Sequence, residues 1–365
     1  MMQKKILVMA VAAAIAAPLA FADTTIYGKA DMAFAVTDNG NVSTNQVSSQ
    51  VTKLGFKGAE DLGDGLSAIW QIEQQIDIDN STASASSKNY FASRNSFAGL
   101  KGSNWGTVLM GRNDSPYKIA TRNLDVFADQ IPDNRSIMGG ATPNKGAYND
   151  DRPGDVISYM TPSMNGLSAA VAYEAGAEAA AASGDTKGSA WSLAGMYNVD
   201  PLYAALAYHK FTFGSAGTGT LAAPSGVSAN DTLTAWKIGG GYKMDMLQLN
   251  AVYEKITSSI SGADPDNRSD FYLAGVYTFG NDDLKLTYTK AGNSNGVSDT
   301  GASQASIGYD HNLSKATSLY AQYSKISNDN KATYDFSTAY TTAIPSGVTA
   351  GNDPSVFALG IKTSF

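Results

Sequence analysis

Hydrophobic and polar residues alternate with period two along most of this chain. From Ile26 to Val36, Ile26, Gly28, Ala30, Met32, Phe34 and Val36 share one face, and Tyr27, Lys29 and Asp31 the other. The split recurs around Lys53, with Leu54 and Phe56 opposed to Lys53 and Lys57. From Leu66 to Asp77 it sets Leu66, Ala68, Trp70 and Ile72 against Gln71, Glu73, Gln75 and Asp77. Sixteen such runs occur, near 23–36, 50–60, 65–78, 88–101, 105–113, 152–161, 165–175, 189–198, 201–213, 231–243, 246–258, 268–280, 283–292, 302–313, 316–327 and 355–365. Every second connection is tight, as at Asp61 to Asp64, Gly102 to Trp105, Pro162 to Met164, Met244 and Asp245, and Leu313 to Lys315. The intervening connections are mostly longer and rich in Ser, Thr, Asn and Gly. A soluble sandwich has no reason to sort its loops in this way, whereas a closed barrel crossing a membrane needs one short-looped and one long-looped rim.

The pattern therefore predicts an all-β fold, a sixteen-stranded antiparallel transmembrane β-barrel. Its apolar set turns to lipid and its polar set lines a water-filled lumen. The final run, with Phe357, Leu359, Ile361, Thr363 and Phe365 on one face, suits closure against the first. Tyr242, Tyr253, Tyr277, Tyr288, Tyr309 and Tyr323 fall near strand ends, where interfacial aromatic belts belong.

One stretch, 114–150, breaks the alternation. Read at 100° per residue it gives a short amphipathic helix, with Ser115 as N-cap and Pro116 at the first helical position. Lys118, Arg122, Asp125 and Asp129 then share one face, and Ala120, Leu124, Phe127 and Ile131 the other. Inside a barrel, the apolar face would pack on the inner wall and the charged face would project into the channel.

Ahead of the strands, Lys4 and Lys5, an apolar run from Ile6 to Leu19 and the small residues Ala20 and Ala22 form a secretory signal, cut after Ala22. The chain thus divides into a signal peptide, 1–22, and a barrel, 23–365, with 114–150 as its inserted loop. Removing 22 of 365 residues, two of them lysines, leaves 343 residues and takes the net charge from −7 to −9, which argues against a nucleic-acid partner. The absence of cysteine suits an oxidising periplasm and excludes thiolate metal sites. No apolar stretch after residue 22 is long enough for a membrane helix.

The chain resembles the Gram-negative general diffusion porins from end to end. The likeness is carried by IYGKA (Ile26 to Ala30), LGFKG (Leu54 to Gly58), FAGLKG (Phe97 to Gly102), Gly111 and Arg112 before the long loop, and the terminal Phe365. The resemblance implies a homotrimer of sixteen-stranded barrels in which the third external loop folds inward and narrows each pore. It also implies a basic ladder on the facing wall, matched here by Lys29, Lys53 and Arg94. Carboxylates on the loop would face them, for which Asp125, Asp129 and Asp133 stand, although the Pro-Glu-Phe-Gly turn of many relatives is absent. Parity independently turns Lys29 and Lys53 to the lumen, and Arg94 too, as the residue opposite Phe91 and Phe97. Arg112 has outward parity, as a subunit contact or a rim arginine.

The expected function is passive diffusion of ions and small hydrophilic solutes across the outer membrane, without cofactor or metal. The alternative is a pore selective for a particular anion or sugar. Expected partners are outer-membrane lipid and lipopolysaccharide. Enzyme activity is not expected, since His209 and His311 lie in no recognisable catalytic motif.

Overall fold

In the computed structural model, residues 23–79, 91–139, 141–142, 146–147, 149–176, 188–214, 229–259, 267–337, 341 and 347–365 are described. The proposed signal peptide lies outside them. Sixteen antiparallel strands form one closed sheet. They are β1 (Asp23–Asp38), β2 in two pieces (Ser43–Ser49 and Lys53–Gly63), β3 (Leu66–Gln75), β4 (Ser96–Gly102), β5 (Gly106–Arg112) and β6 (Val156–Met160). They continue with β7 (Leu167–Ala175), β8 (Ser189–Val199), β9 (Leu202–Thr212), β10 (Thr232–Met244) and β11 (Leu247–Ser258). The last five are β12 (Arg268–Phe279), β13 (Asp282–Ala291), β14 (Ala302–Asn312), β15 (Thr317–Asn328) and β16 (Ser355–Ser364). A short α-helix, α1 (Pro116–Arg122), lies in the loop between β5 and β6, followed there by a 3-10 turn at Asn134–Ser136.

Closure follows from the pairing of β1 with β16, from Lys29 opposite Ser364 to Asp38 opposite Ser355. Reciprocal backbone bonds between Gly28 and Phe365, 2.9 and 3.1 Å, extend it to the last residue. The sheet then has no free edge to aggregate. Outside-facing side chains are the apolar set, including Ile26, Phe34, Leu206, Ile238, Leu273, Leu286 and Leu359, all exposed. Tyr242, Tyr277 and Tyr309 sit at the short-turn rim, and Tyr253, Tyr288 and Tyr323 toward the long-loop rim. The tyrosines therefore form two belts, one at each interface.

Two details depart from strict alternation. β2 carries a bulge: Gln50, Val51 and Thr52 oppose only Ala30 and Asp31 of β1, and Val51 takes φ +47°. That extra residue reverses parity, so Val47 is outward and Lys53 inward, although both are odd-numbered. β4 starts at Ser96, later than the run at 88–101 predicts; 88–90 lie outside the described residues, and Phe91 to Asn95 are irregular. Phe97 pairs with inward Gln71, whereas its neighbour Ala98 pairs with outward Trp70. Phe97 thus faces the lumen, correcting the parity argument that placed Arg94 there as its opposite.

Candidate functional site

The wall of β1 to β3 gathers the first charges. Lys29 and Lys53 are direct cross-strand partners, an arrangement of like charges that costs stability unless each finds an acid. Each does: Lys29 lies 3.2 Å from Asp31 and Lys53 lies 3.2 Å from Glu73. Glu73 also takes the Arg94 Nε–H at 2.7 Å and the Tyr27 hydroxyl at 3.0 Å. Arg94 is held inward by its own backbone, whose N–H bonds to the Glu73 carbonyl at 3.0 Å.

The long loop crosses the lumen and is fastened to the opposite wall one strand at a time. Ser115 caps α1, accepting from the Lys118 N–H at 3.2 Å, and Pro116 takes the first turn, as the sequence predicts. The helix is shorter than its periodicity, ending at Asn123, because Asp125 instead accepts from the N–H groups of Phe127 at 3.0 Å and Asn134 at 3.1 Å. The apolar face holds regardless: Ala120, Leu124, Phe127 and Ile131 are all buried. Leu124 sits over Gly239 and Gly241 of β10, and Phe127 over Gly308 of β14, where a Cβ would come within 2.5 Å of its ring. These glycines are sockets for the loop. Polar anchors run along the same wall, from the Tyr117 N–H to Ser192 Oγ (2.9 Å), Tyr203 to the Ala120 carbonyl (2.7 Å), Asn250 to the Leu124 carbonyl (2.7 Å) and Tyr272 to Asp125 (3.2 Å). Glu254 accepts from Tyr117 and from the Gly139 N–H, and Lys237 pairs with Asp150.

A chain of ion pairs joins wall to loop. Asp129 lies 3.5 Å from Arg94, 2.7 Å from Arg122 and 3.5 Å from Arg135. Asp133 lies 2.7 Å from Arg122 and 3.0 Å from Arg135. Burial alone would raise Asp129, but Arg122, Arg94 and Arg135 overrule it and hold its carboxyl well below the usual range. Burial and the Asp133 carboxylate push Asp125 up to about 6, against the pull of Arg122.

The sequence places Lys118, Arg122, Asp125, Asp129 and Asp133 on the loop's channel face; the structure divides them. Arg122 and Asp129 keep partial exposure, at 19% and 23% of their side chains. Asp125 and Asp133 are sealed, because they serve as internal acceptors for loop N–H groups and arginines. Lys118 is also buried, bound to Asp114 at 2.8 Å beside Arg152; burial brings its ammonium down to about 7. The expectation that all five project into the channel is corrected to two.

Further lumen charges were not singled out from the sequence. Lys285 lies 2.5 Å and Lys362 3.9 Å from Asp310. Parity carried the signal, since Lys285 alternates with Leu284 and Leu286, and Lys362 with Ile361 and Thr363. A second inserted segment was also missed. Ala332, Tyr334 and Phe336, between β15 and β16, are buried with Ile131 and Ile137 against inward Ala33, Ala35, Ile326 and Val356. Tyr334 bonds Arg268, and the Ser337 N–H reaches Ser136 Oγ at 3.3 Å. Its period-two pattern, Ala332, Tyr334, Phe336 against Thr333, Asp335 and Ser337, is confined to three buried residues within a run that reads as loop.

Arg112 is outward at the long-loop rim, donating to the Arg152 carbonyl at 3.0 Å. His209 faces inward and is buried against Tyr117 and Phe211, while His311 is outward at the short-turn rim, 2.6 Å from Asp282. Neither reaches the charged constriction.

The profile of the Gram-negative porin family matches residues 9–331. The outer membrane porin protein 32 of Delftia acidovorans is 27% identical over 372 aligned residues, covering 100% of both chains. A major outer membrane protein P.IB of Neisseria meningitidis serogroup B is 32% identical over 42% of this chain and 44% of its own. Among solved structures, an anion-selective porin from Comamonas acidovorans superposes with TM-score 0.77 at 24% identity, covering 94% of this chain and 100% of that one. A Salmonella typhi OmpF complex with daunomycin gives 0.64 at 20% identity, covering 94% and 97%.

Proposed function

This chain belongs to the Gram-negative porin family, and on that premise we propose that its channel favours anions. The protein is an outer-membrane porin, a water-filled barrel through which ions and small hydrophilic solutes diffuse passively. The finer reading concerns the sign of the field at the constriction.

One observation carries it: at the pairs of Lys362 with Asp310, Lys53 with Glu73 and Arg122 with Asp133 the cation stands in front of its acid, the reverse of the order at Asp114, Asp129 and Asp150 on the loop. Lys362, Lys53 and Arg122 expose 30%, 25% and 19% of their side chains, whereas Glu73, Asp310 and Asp133 expose 5%, 7% and 0%. Asp129, at 23%, is the most open of the acids in these pairs and is shared among Arg94, Arg122 and Arg135. An entering solute thus meets ammonium and guanidinium groups first, in a low-dielectric wall that concentrates their field. An anion gains from that field while a cation must cross it. This favours the anion branch of the selective-pore alternative, and the Comamonas acidovorans neighbour is itself an anion-selective porin.

In this reading Lys29, Lys53 and Arg94 form the basic ladder, with Arg122 and Asp129 as the exposed loop charges. The barrels assemble as a homotrimer, the lipid partners include lipopolysaccharide, and the mature chain starts at Asp23 after cleavage of the signal peptide. Bilayer recordings across a salt gradient test the sign. Wild-type protein should give an anion-selective reversal potential, and Lys53→Gln with Arg94→Gln should move it toward cations. A cation-selective wild type, or an unmoved double variant, refutes the assignment.

A further inference from the structure

Between the third loop and the inner wall of β9 to β11 an amine and two carboxyl groups share one enclosure that the constriction does not use. Lys237 of β10 is buried, and its Nζ pairs with Oδ1 of Asp150 at the end of the loop. Glu254 of β11, also buried, is the direct cross-strand partner of Lys237. Gly139 stands between the two acids. Its N–H donates to Glu254 at 2.9 Å, and a Cβ placed on it would lie 3.0 Å from Asp150 Oδ2. The loop thus brings a carboxyl group onto a lysine that already has a second carboxyl group beside it on the wall.

The surroundings are aromatic and aliphatic. Lys237 Nζ lies 4.1 Å from the centre of the Tyr117 ring, whose hydroxyl donates to Glu254. His209 meets Tyr117 edge-on with ring centres 5.8 Å apart, and Phe211 lies 4.4 Å beyond it. Ala190, Ala235 and Ile256 are buried in the same cluster. An ion pair in such a place carries the desolvation cost of both charges, which a neutral amide would not. The amine and the carboxyl are also held in contact by the fold. Such positioning turns a bimolecular condensation into a unimolecular one, with effective molarities on the order of 10⁵–10⁸ M.

We propose that Lys237 and Asp150 condense into an intramolecular isopeptide bond, with Glu254 as the proton carrier. Glu254 takes one proton from the Lys237 ammonium, and the freed amine nitrogen adds to Cγ of Asp150. One oxygen of Asp150 then leaves as water, taking the proton back from Glu254 and a second from the nitrogen. The ammonium and carboxylate become an amide and one water, Glu254 returns to its starting form, and nothing is oxidised or reduced. The bond ties the end of the third loop to β10 and closes a ring across 87 residues of sequence. A loop fastened in this way stays folded into the barrel even when its hydrogen bonds open, and the unfolded chain is restricted as a disulfide would restrict it.

Intact-mass spectrometry of the full mature protein, extracted from outer membranes and then denatured, provides the test. Wild type should be lighter than its sequence by one water, and its digest should contain a branched peptide joining Lys237 to Asp150. Lys237→Arg and Asp150→Ala should each restore the full sequence mass. Glu254→Gln keeps both joined groups and should lower the linked fraction at least tenfold. Wild type at its full sequence mass overturns the proposal. So does a loss of one water that survives Lys237→Arg and yields no branched peptide, since that is ring closure at an aspartate. A Glu254→Gln protein linked as fully as wild type overturns the role given to Glu254. The decisive mass is that of wild type, so the result stands even if a variant fails to insert. Bilayer conductance of the same wild-type preparation reports on the channel separately.

Discussion

At the residue scale, the constriction is governed by which member of each ion pair is left accessible. Asp125 gives this a pH dependence. Its carboxyl, raised to about 6 by burial and by Asp133, takes up a proton as pH falls from 7 to 5, where an ordinary aspartate would stay ionised. The sign follows directly. Protonation removes a negative charge beside Arg122, so anion preference should rise over that interval. Because the folded pKa exceeds the unfolded one, the associated gain in stability is complete below about 4 and is lost as pH rises through about 6. Reversal potentials at the two pH values check the first point, and Asp125→Asn should abolish the step; a step that survives in that variant assigns it to another group. The glycine sockets make a separate claim. Gly308→Val places methyl groups where the Phe127 ring sits, and the ring must leave or the strand must shift, an overpacking that costs about 1–3 kcal/mol. The displaced loop has only the channel to move into, so single-channel conductance should fall and the melting temperature with it. Wild-type conductance in this variant would show that the loop is held elsewhere.

At the scale of elements, the strands were legible because a barrel in lipid leaves each residue a binary choice, and period two records it. Leu284, Lys285 and Leu286 can sit in only one way. Legibility failed where a local exception resets that choice. The bulge at Gln50 to Thr52 and the irregular approach to β4 both shift parity, and neither is marked by a Gly or Pro that would announce it. The structure turns Arg94 inward through its backbone bond to Glu73, a route that the parity argument, resting on an outward Phe97, does not contain. The loop charges were half legible for another reason: helical periodicity says which side a carboxylate is on, not whether backbone N–H groups in a turn will consume it, as happens at Asp125 and Asp133. The second inserted segment escaped because a buried three-residue alternation is too short to stand out beside sixteen longer ones. Its packing predicts that the two inserted loops move together. Tyr334→Ser with Phe336→Ser removes the apolar contact with Ile131 and Ile137 and the hydrogen bond to Arg268, leaving the third loop without its support from the second inserted segment. Current recordings of this variant should show more frequent closures and greater open-channel noise. Traces as quiet as wild type would mean that the anchors from Ser192 to Tyr272 suffice alone.

At the scale of the whole molecule, net charge and the proposed channel polarity point in opposite directions. The chain carries −7 overall, while on the proposed reading the field of the constriction is set by cations such as Lys53 and Lys362, which are more exposed than their partners Glu73 and Asp310. The acids that tip the total lie in part on the tight turns, at Asp61, Asp64, Asp200, Asp245 and Asp283. Asp61 is eight residues along β2 from Lys53, roughly 26 Å at strand rise. The Debye length is about 10 Å at 0.1 M salt and about 3 Å at 1 M, so a rim carboxylate in water is screened before its field reaches the constriction. Selectivity should therefore be set locally. Asp61→Asn with Asp64→Asn, which removes two negative charges from each barrel, should leave the reversal potential at 0.1 M where wild type has it. Lys53→Gln with Arg94→Gln, which removes two positive charges at the narrow point, should shift it strongly at the same salt. If the two double variants moved the potential by similar amounts in opposite directions, the pore would be sensing the charge of the whole barrel, and the order in which cations and acids are exposed at the constriction would lose its explanatory role.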